Sequence, residues 1–497
     1  MPPPPIDLHT EQVSHLVGGG ARRWYEFGVT PLPESLRAAA GRVGSSDLLR
    51  GSSRSFGARL LVLPLVAVSA LLASRIVIDS LGSNGFALYA LVVGLAALVP
   101  FADLGIGAAV TDAVARRATV GDAMAIAVIR RSSRVLVMVG VAIMIASWAI
   151  AAVGGWSAIL GVPGRESIDL AAAIALTLFA VSLPLSLGTR ILLGAERNHW
   201  AVLSQPVSTL IGLAVIAVAA VREAPLWAFT SAPFLGIVVL GAVNVALARR
   251  ATGLAWTTGQ QQSVNGEKSN QPVRLFQIAG PMLVISVALP LAWQSDRLVL
   301  SHRSTLVEVA LYVVAFQLFT PLYALIESGG SSLWPVFARR GHASGIDTRR
   351  MVQLTLGFAV VGLIIGFALA LMGPWLATWV SRGSVVPSRE LFVLFGLLIA
   401  ITAAWWPTAM LLTDPLGLRF QALCCTLMAT ANIGLSIALA PSRGAAGPVI
   451  ASLASMILAI ILPGWWFAWR RLRRAAESQS SSKGSHLEPG LTSLEMQ

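Results

Sequence analysis

The sequence predicts an all-α polytopic membrane protein with about twelve transmembrane helices. Hydrophobic residues make up 56% of the 497 positions and charged residues only 12%, and the mean hydropathy is +0.75. About 25% of the residues are charged in an average soluble domain. The apolar residues also form continuous runs of about twenty, the length of helix that crosses ~30 Å of hydrocarbon. Composition and run length therefore both indicate a chain that spans a membrane many times.

The apolar runs are continuous rather than alternating, which favours membrane helices over a β-barrel. The loops expected outside the membrane are short, which leaves little room there for a catalytic domain. The predicted spans are residues 58–78, 85–105, 135–155, 168–189, 201–221, 227–248, 275–295, 305–326, 352–373, 391–413, 418–439 and 445–468.

An internal repeat divides the spans into two groups of six. The sequence Ala-Leu-Tyr at 87–89 recurs at 310–312, and Ala-Arg-Arg at 115–117 recurs at 338–340. Both pairs have the same spacing along the chain, which we call the repeat interval. The repeat predicts two six-helix bundles related by pseudo-two-fold symmetry. Membrane proteins with halves that repeat in this way are usually transporters with a site between the halves.

The spans and their flanking segments define five regions. Residues 1–55 are a largely disordered cytoplasmic leader, and residues 56–248 form the N-terminal six-helix bundle. Residues 249–274 are a cytoplasmic linker, and residues 275–470 form the C-terminal six-helix bundle. Residues 471–497 form a disordered cytoplasmic tail rich in serine.

The net charge of +13 follows the membrane topology rather than a nucleic-acid surface. With the N-terminus inside, 28 of the 36 Lys and Arg residues fall in cytoplasmic segments, seven fall in external loops, and Arg75 lies within a span. This asymmetry is that of the positive-inside rule. It places both termini in the cytoplasm and gives no indication of a nucleic-acid partner.

The sequence carries no pattern for a cofactor, a metal ion or a catalytic nucleophile. The six histidines are scattered without metal-ligand spacing, and the two cysteines, Cys424 and Cys425, are adjacent within an apolar run. The sequence motifs of P-loop nucleotide hydrolases, zinc proteases and serine hydrolases are not found. We therefore expect no cofactor and no enzymatic activity, and any uphill transport would draw on an ion gradient, a partner or the substrate gradient.

Two arginines at the ends of apolar runs are the candidate substrate-binding residues. Arg75 ends the first span and Arg297, beside Asp296, ends the seventh. Guanidinium groups from symmetry-related helices could clamp a diphosphate, because they bind phosphate oxygens in a bidentate manner. The alternative is a structural arginine, since Asp79 lies four residues after Arg75 on the same helix face and could pair with it.

Four further residues are candidates for the transport path. Asp103 and Glu327 lie toward the inner ends of spans two and eight, each followed by glycines, and could bind H⁺ or Na⁺ during exchange. Their alternative role is hydrogen bonding to free backbone amides near the membrane interface. Trp405 and Trp406 could line a cavity and stack on sugar rings, and their alternative role is helix packing.

Residues 74–117, SRIVIDSLGSNGFALYALVVGLAALVPFADLGIGAAVTDAVARR, resemble the N-terminal signature of the Wzx-like flippases. In that pattern an arginine closes the first span, and Leu-Gly, Gly-x-x-x-Tyr and Asp-Leu-Gly-x-Gly follow. Residues 294–318 and 333–340 resemble the middle region of the same proteins. The chain is thereby similar to bacterial polysaccharide-biosynthesis membrane proteins of the multidrug, oligosaccharidyl-lipid and polysaccharide exporter superfamily.

The resemblance implies a MATE-like fold, with two bundles around a central cavity, in a bacterial inner membrane. It implies a flippase that moves a polyprenyl-diphosphate-linked oligosaccharide from the inner to the outer leaflet for cell-surface polysaccharide biosynthesis. The expected partners are this lipid-linked glycan, membrane lipids and other glycan assembly proteins. Three other functions stay open: an ion-coupled drug or organic-cation antiporter of the same superfamily, an integral-membrane glycan-transfer enzyme, and a scaffold that does not transport.

Overall fold

The structure is a computed structural model, and its description covers most of the chain. Regular structure in these residues is helical throughout, without a strand. Residues 97–105, which include Asp103, lie outside the described part. The described residues are 45–96, 106–117, 121–162, 166–254, 272–334, 337 and 347–484.

The helices of the first half, α1 to α8, lie before the predicted linker, and those of the second half, α9 to α15, lie after it. The first-half helices are α1 (Ser45–Leu95), α2 (Ile106–Ala115), α3 (Asp122–Ala152), α4 (Gly155–Ile159), α5 (Glu166–Leu185), α6 (Leu187–Gly194), α7 (Asn198–Val221) and α8 (Leu226–Thr252). The second-half helices are α9 (Pro272–Arg303), α10 (Leu306–Ser331), α11 (Thr348–Ser381), α12 (Arg389–Leu411), α13 (Pro415–Arg443), α14 (Ala446–Met456) and α15 (Leu462–Gly484). A π-helical turn, Ile457–Ile461, joins the last two.

Eleven helices within the described residues are long and apolar enough to cross a membrane. The sequence predicts twelve spans, and the difference arises in α1, where Val62–Leu95 forms one candidate of 34 residues. Gly82 interrupts this helix with φ 70° and ψ 179°, a conformation that favours glycine. One repeat interval after Gly82 comes Thr305, which caps α10 at the break between the seventh and eighth predicted spans. The interruption at Gly82 therefore corresponds to the predicted turn between spans one and two.

Helical structure extends into segments for which the sequence predicts disorder. Helix α1 begins at Ser45, within the predicted leader 1–55. Helix α15 continues to Gly484, beyond the predicted start of the disordered tail at residue 471. Within α15, Arg470 and Arg473 cover the rings of Trp466 and Trp469, at 3.9 and 3.7 Å from guanidinium carbon to ring centroid, and pairs at this spacing stabilise a helix.

The alternation of the spans gives the protein two faces. The first face carries the connections at Gly82, Gly161, Arg382 and Gly444, all with positive φ. The second face carries the connections at the other ends of the helices. These include Gly121, Glu196, Gly253 and Asp414. The predicted topology makes the first face external and the second face cytoplasmic.

Small residues allow neighbouring helices to pack backbone to backbone, as is usual where lipid supplies no hydrophobic driving force. Gly366 of α11 lies against the backbone of Gly396 of α12, and each leaves no room for a Cβ. Gly236 of α8 meets Ser208 of α7 in the same way. The opposite side of α11 carries exposed apolar side chains such as Ile364 and Phe367, as expected for a surface in contact with lipid.

Candidate functional site

Three buried polar atoms on one stretch of α9 have no hydrogen-bond partner among the described residues. They are Nε1 of Trp293, Oε1 of Gln294 and Nε of Arg297. At this spacing the three side chains lie on neighbouring faces of the helix. Native proteins leave few buried polar groups unpaired, and clusters of them indicate a site for water, an ion or a ligand. We call these three residues the α9 polar patch.

Arg297 of this patch reaches toward the first half of the protein. Its Nη1 atom would lie 3.6 Å from a Cβ placed on Gly94 of α1, and its guanidinium carbon lies 5.0 Å from the ring centroid of Phe316. A cation over an aromatic face is stabilised by the ring but is not neutralised by a carboxylate, so it can still bind an anion. Because Gly94 has no side chain, it leaves the guanidinium room at the surface between the halves, which we call the seam.

A second contact across the seam is the symmetry counterpart of the first. The hydroxyl of Ser74 in α1 donates a hydrogen bond of 2.7 Å to Oε1 of Gln317 in α10. Ser74 and Arg297 are one repeat interval apart, and so are Gly94 and Gln317. The repeat found in the sequence is therefore also a repeat of contacts, in which equivalent helices meet at equivalent positions.

Arg75 also points across the seam, but it does not pair with Asp79 in the described structure. Its guanidinium carbon lies 5.0 Å from the ring centroid of Trp379 in α11. Asp79 instead accepts a salt bridge of 3.3 Å from Nε of Arg382, which follows α11. The spacing of four residues would allow Arg75 and Asp79 to pair within α1. In the structure each of them instead contacts a residue of the second half.

The contacts of Asp79 and its symmetry counterpart close the seam on the first face. That counterpart, one repeat interval after Asp79, is His302. His302 packs against the connection at Gly161 so closely that a Cβ there would lie 2.8 Å from Nδ1. In each half, a side chain close to a helix break or helix end contacts a connecting segment of the other half. Asp79 contacts Arg382, and His302 contacts Gly161. We call these two contacts the first-face closure.

Asp296, the neighbour of Arg297, lies away from the seam inside the second half. Its side chain is 1% exposed, and it accepts hydrogen bonds of 2.9 Å from the hydroxyl of Tyr312 and 3.3 Å from that of Ser436. The substrate-binding role predicted for Asp296 requires access that this position does not give. Adjacent helical residues point about 100° apart, so Asp296 and Arg297 face different surroundings.

The surroundings of Asp296 form a buried polar cluster that crosses four helices. Ser452 in α14 lies near Asp296, and its hydroxyl accepts a hydrogen bond of 2.7 Å from Nδ2 of Asn432 in α13. The Oδ1 atom of Asn432 is buried without a partner in the described residues. Carboxylate, hydroxyl and amide oxygens are the ligands that Na⁺ prefers, and a buried carboxylate can also bind H⁺ or a water molecule.

The other predicted residues occupy separate places. Glu327 is exposed near the end of α10, and Asp103 lies outside the described residues. Trp405 packs against Gly464 of α15, and the ring of Trp406 lies within 2.7 Å of a Cβ placed on Gly330. Neither tryptophan belongs to the α9 polar patch, and Nε1 of Trp406 is also buried without a partner among the described residues. Their role in binding sugar rings stays a prediction.

Among the described residues, no group of three or more His, Cys, Asp and Glu side chains could hold a metal ion. Cys424 and Cys425 are both buried as free thiols. The polar groups described at the seam are guanidinium, indole, amide and hydroxyl groups.

The helices and the repeated contacts define a multi-pass membrane protein with a MATE-like fold. The sequence model described as "Polysaccharide biosynthesis protein" matches residues 52–340, more than half of the chain. The chain belongs to this polysaccharide biosynthesis protein family. A comparison of the sequence with curated proteins gives no significant match.

Solved structures with the same fold are distant in sequence. An inward-facing multidrug resistance MATE family transporter of the MOP superfamily has a TM-score of 0.65 and 14% identity, and the alignment covers 84% of this chain and 98% of that chain. The lipid II flippase MurJ in an inward closed conformation has a TM-score of 0.60 and 11% identity, with 86% and 91% covered. An outward-facing MATE family transporter has a TM-score of 0.51 and 14% identity, with 83% and 96% covered.

Proposed function

We propose that the protein is a flippase that moves a polyprenyl-diphosphate-linked oligosaccharide from the inner to the outer leaflet of a bacterial inner membrane. Membership of the polysaccharide biosynthesis protein family supports this proposal, as does the fold it shares with MurJ and MATE transporters. The observation that carries it is the α9 polar patch, where Arg297 presents a buried, unpaired donor at the seam between two repeated halves.

The substrate's diphosphate would bind between guanidinium groups contributed by both halves. Arg75 and Arg297 each contact an aromatic ring, and within the described residues neither is engaged in an ion pair. Both therefore keep positive charge available for an anion entering the seam. The free oxygen of Gln294 would accept a hydrogen bond from a sugar hydroxyl. The polyprenyl tail would stay in the bilayer while the polar head passes between the halves.

Movement across the membrane would require the halves to rock about the seam. The first-face closure and the Ser74–Gln317 bond hold the halves together in the present state. The higher fold similarity to an inward-facing transporter than to an outward-facing one supports a state that is closed at the first face. Alternating access would break these contacts and form others at the second face.

The buried polar cluster at Asp296 is the best candidate for ion coupling. Its carboxylate is almost fully buried, and protonation or Na⁺ binding would change its bonds to Tyr312 and Ser436. Glu327 and Asp103 remain the alternatives predicted from sequence. Asp296→Asn, Glu327→Gln and Asp103→Asn should be compared for the dependence of transport on a pH or Na⁺ gradient.

The cellular setting follows from the same proposal. The N-terminal bundle at 56–248 and the C-terminal bundle at 275–470 would be the two moving units, with both termini in the cytoplasm. The partners would be the lipid-linked glycan, membrane lipids and glycan assembly proteins. The protein would move its substrate without altering covalent bonds, so it would not be an enzyme.

The decisive experiment measures flipping of a fluorescent polyprenyl-diphosphate glycan in reconstituted vesicles. Arg75→Ala and Arg297→Ala should each abolish flipping while leaving protein levels intact. Arg443→Ala is the matched control, since Arg443 is exposed on the first face, 4.0 Å from Glu390, and lies away from the seam contacts. Normal flipping by both variants would remove the anion clamp from the proposal.

An ion-coupled drug or organic-cation antiporter is the second candidate, and an aromatic cluster favours it. Trp293, Phe319 and Tyr323 pack with ring centroids 4.7–6.1 Å apart, and Glu327 lies one turn beyond Tyr323. Aromatic rings with a carboxylate are suited to an organic cation. Thermal stabilisation of the purified protein by cationic drugs, but not by a polyprenyl-diphosphate glycan, would favour this candidate over the flippase.

A further inference from the structure

A cavity of about 510 Å³ opens in the second half, well separated in sequence from the α9 polar patch. It lies between α11, from Thr348 to Leu356, and α15, from Trp465 to Leu472, and Thr408 of α12 also lines it. This volume falls within the range of about 300–1,000 Å³ typical of ligand pockets. Its lining is apolar apart from three threonines, so its occupant must be largely apolar.

The cavity lies near the second face, at the level of a cluster of aromatic side chains. Trp465, Trp466 and Trp469 all line it and are 40–50% exposed. Tryptophans with this exposure are typical of the boundary between hydrocarbon and lipid headgroups. The π-helical turn before α15 adds a residue to the helix and so rotates the tryptophans by about 100° relative to α14.

Arginines stand beside the tryptophans that line the cavity. Arg470 lies over the ring of Trp466 and Arg473 over the ring of Trp469, and none of the ion pairs within the described residues involves either one. Arg471 differs, because it donates two hydrogen bonds, of 2.6 and 2.9 Å, to Asp414. Asp414 therefore forms an ion pair with Arg471. The guanidinium groups of Arg470 and Arg473 are available to bind an anionic ligand.

We propose that this cavity binds an anionic phospholipid of the membrane. One acyl chain would fill the apolar space between α11 and α15, and the phosphate would bind to Arg470 and Arg473. Basic groups at the cytoplasmic end of membrane helices attract anionic headgroups by charge, and arginine binds phosphate oxygens in a bidentate manner. Stacking fixes both guanidinium groups against tryptophans that line the cavity, so little side-chain freedom would be lost on binding.

A lipid in this site would add to the direct packing of α15 on α11, where Met351 belongs to the same buried cluster as Ala468 and Leu472. Arg471 already fixes α15 to the start of α13 through Asp414. A bound lipid would add a second attachment on the opposite side, at Thr348–Leu356. The proposal is independent of the flippase proposal, because the lipid would be a bound component and not the transported substrate.

Quenching of tryptophan fluorescence by brominated lipids tests the site directly. The full-length protein is reconstituted with brominated phosphatidylglycerol or with brominated phosphatidylcholine at equal density. Brominated phosphatidylglycerol should quench tryptophan fluorescence at least twofold more strongly than brominated phosphatidylcholine. This excess quenching should fall at high salt, because screening weakens the attraction between charges. Equal quenching by the two lipids would overturn the proposal.

Variants assign the excess quenching to this cavity. Arg470→Gln with Arg473→Gln should abolish it, and Trp465→Phe, Trp466→Phe and Trp469→Phe together should remove the reporting signal. Val352→Phe, on the exposed side of the lining, should block the apolar space without disturbing the core. Arg443→Gln should leave the excess unchanged. Persistence of the excess in the double arginine variant, or displacement of the quenching lipid by polyprenyl phosphate alone, would contradict the phospholipid assignment.

Discussion

The hydroxyl of Ser74 donates a hydrogen bond of 2.7 Å to the amide oxygen of Gln317, and 243 residues separate the two. This bond joins the first half of the protein to the second at the seam. Its counterpart, Arg297 beside Gly94, lies at the positions related to it by the repeat interval. Equivalent positions therefore face each other twice across the seam, and the Ser74–Gln317 bond is the one that a separation of the halves there would break.

Cross-linking at this bond should stop transport. In a background without Cys424 and Cys425, Ser74→Cys with Gln317→Cys should be joined by a short thiol cross-linker and should lose flipping. The matched control is Ser204→Cys with Asn244→Cys, which replaces a 2.7 Å bond within the first half. Cross-linking of the control pair should leave flipping unchanged. If both cross-linked proteins transport normally, the halves do not separate at Ser74.

Adding a methyl group at Gly161 should open the first face. Gly161 has φ 70° and would place a Cβ 2.8 Å from His302, so Gly161→Ala should push the two halves apart. Gly154→Ala is a matched control, because Gly154 has φ 67° with nothing within 4 Å of a Cβ. Both substitutions carry the same backbone strain, and only the first meets the other half.

The measurement is the labelling rate of a cysteine at position 83, beside the interruption of α1. Gly161→Ala should raise this rate several-fold over Gly154→Ala, and His302→Ala in the same chain should reverse the increase. Equal labelling of the two alanine variants would show that the His302 contact does not keep the face closed.

The hydroxyl of Tyr312 should contribute more to stability than that of Tyr323. Tyr312→Phe leaves the buried carboxylate of Asp296 without its 2.9 Å hydrogen bond, a loss of about 1–3 kcal/mol for a buried acceptor. Tyr323→Phe is the control on the same helix, since the described structure gives its hydroxyl no hydrogen bond. Thermal unfolding in detergent should show a lower Tm for Tyr312→Phe only. Equal Tm values would indicate that Asp296 is protonated or solvated in the folded protein.

Close packing of α11 on α12 should make Gly366 intolerant of substitution. A Cβ at Gly366 would meet the backbone of Gly396, so Gly366→Ala should cost about 1–3 kcal/mol of stability through overpacking. Gly357→Ala on the same helix meets nothing within 4 Å, and it should gain about 0.5–1 kcal/mol from higher helix propensity. Thermal unfolding of the two variants should therefore shift in opposite directions. A similar Tm for both would contradict the packing of these helices.

Much of the fold could be predicted because apolar run length and the repeat are properties of the chain itself. The spans and the two-fold arrangement of contacts follow from residues such as Tyr89 and Tyr312, which recur at a constant interval. The count differs by one because the first two predicted spans meet at the break at Gly82 and together form the single long helix α1. The sequence shows that a glycine such as Gly82 permits a bend, but it does not show whether the helix ends at that residue.

The candidate site could be predicted only in part. Arg75 and Arg297 stand out in the sequence because a charge in an apolar run is costly, and their role in binding a substrate stays a prediction. The unpaired atoms of Trp293 and Gln294 could not be found, since whether a polar group is satisfied depends on its neighbours in space. The pairing of Asp79 with Arg382 was missed for the same reason, because the partner lies in the other half of the sequence.

The sequence by itself determined that this chain crosses a membrane many times, repeats its halves and belongs among proteins of polysaccharide biosynthesis. These features depend on hydropathy and on recurring residues, and both can be read directly from the sequence. Only the tertiary structure decided that Arg297 faces the seam while Asp296 faces the interior of the second half. Helical rotation sends adjacent side chains to different surroundings, and the packing of distant helices decides what each one meets.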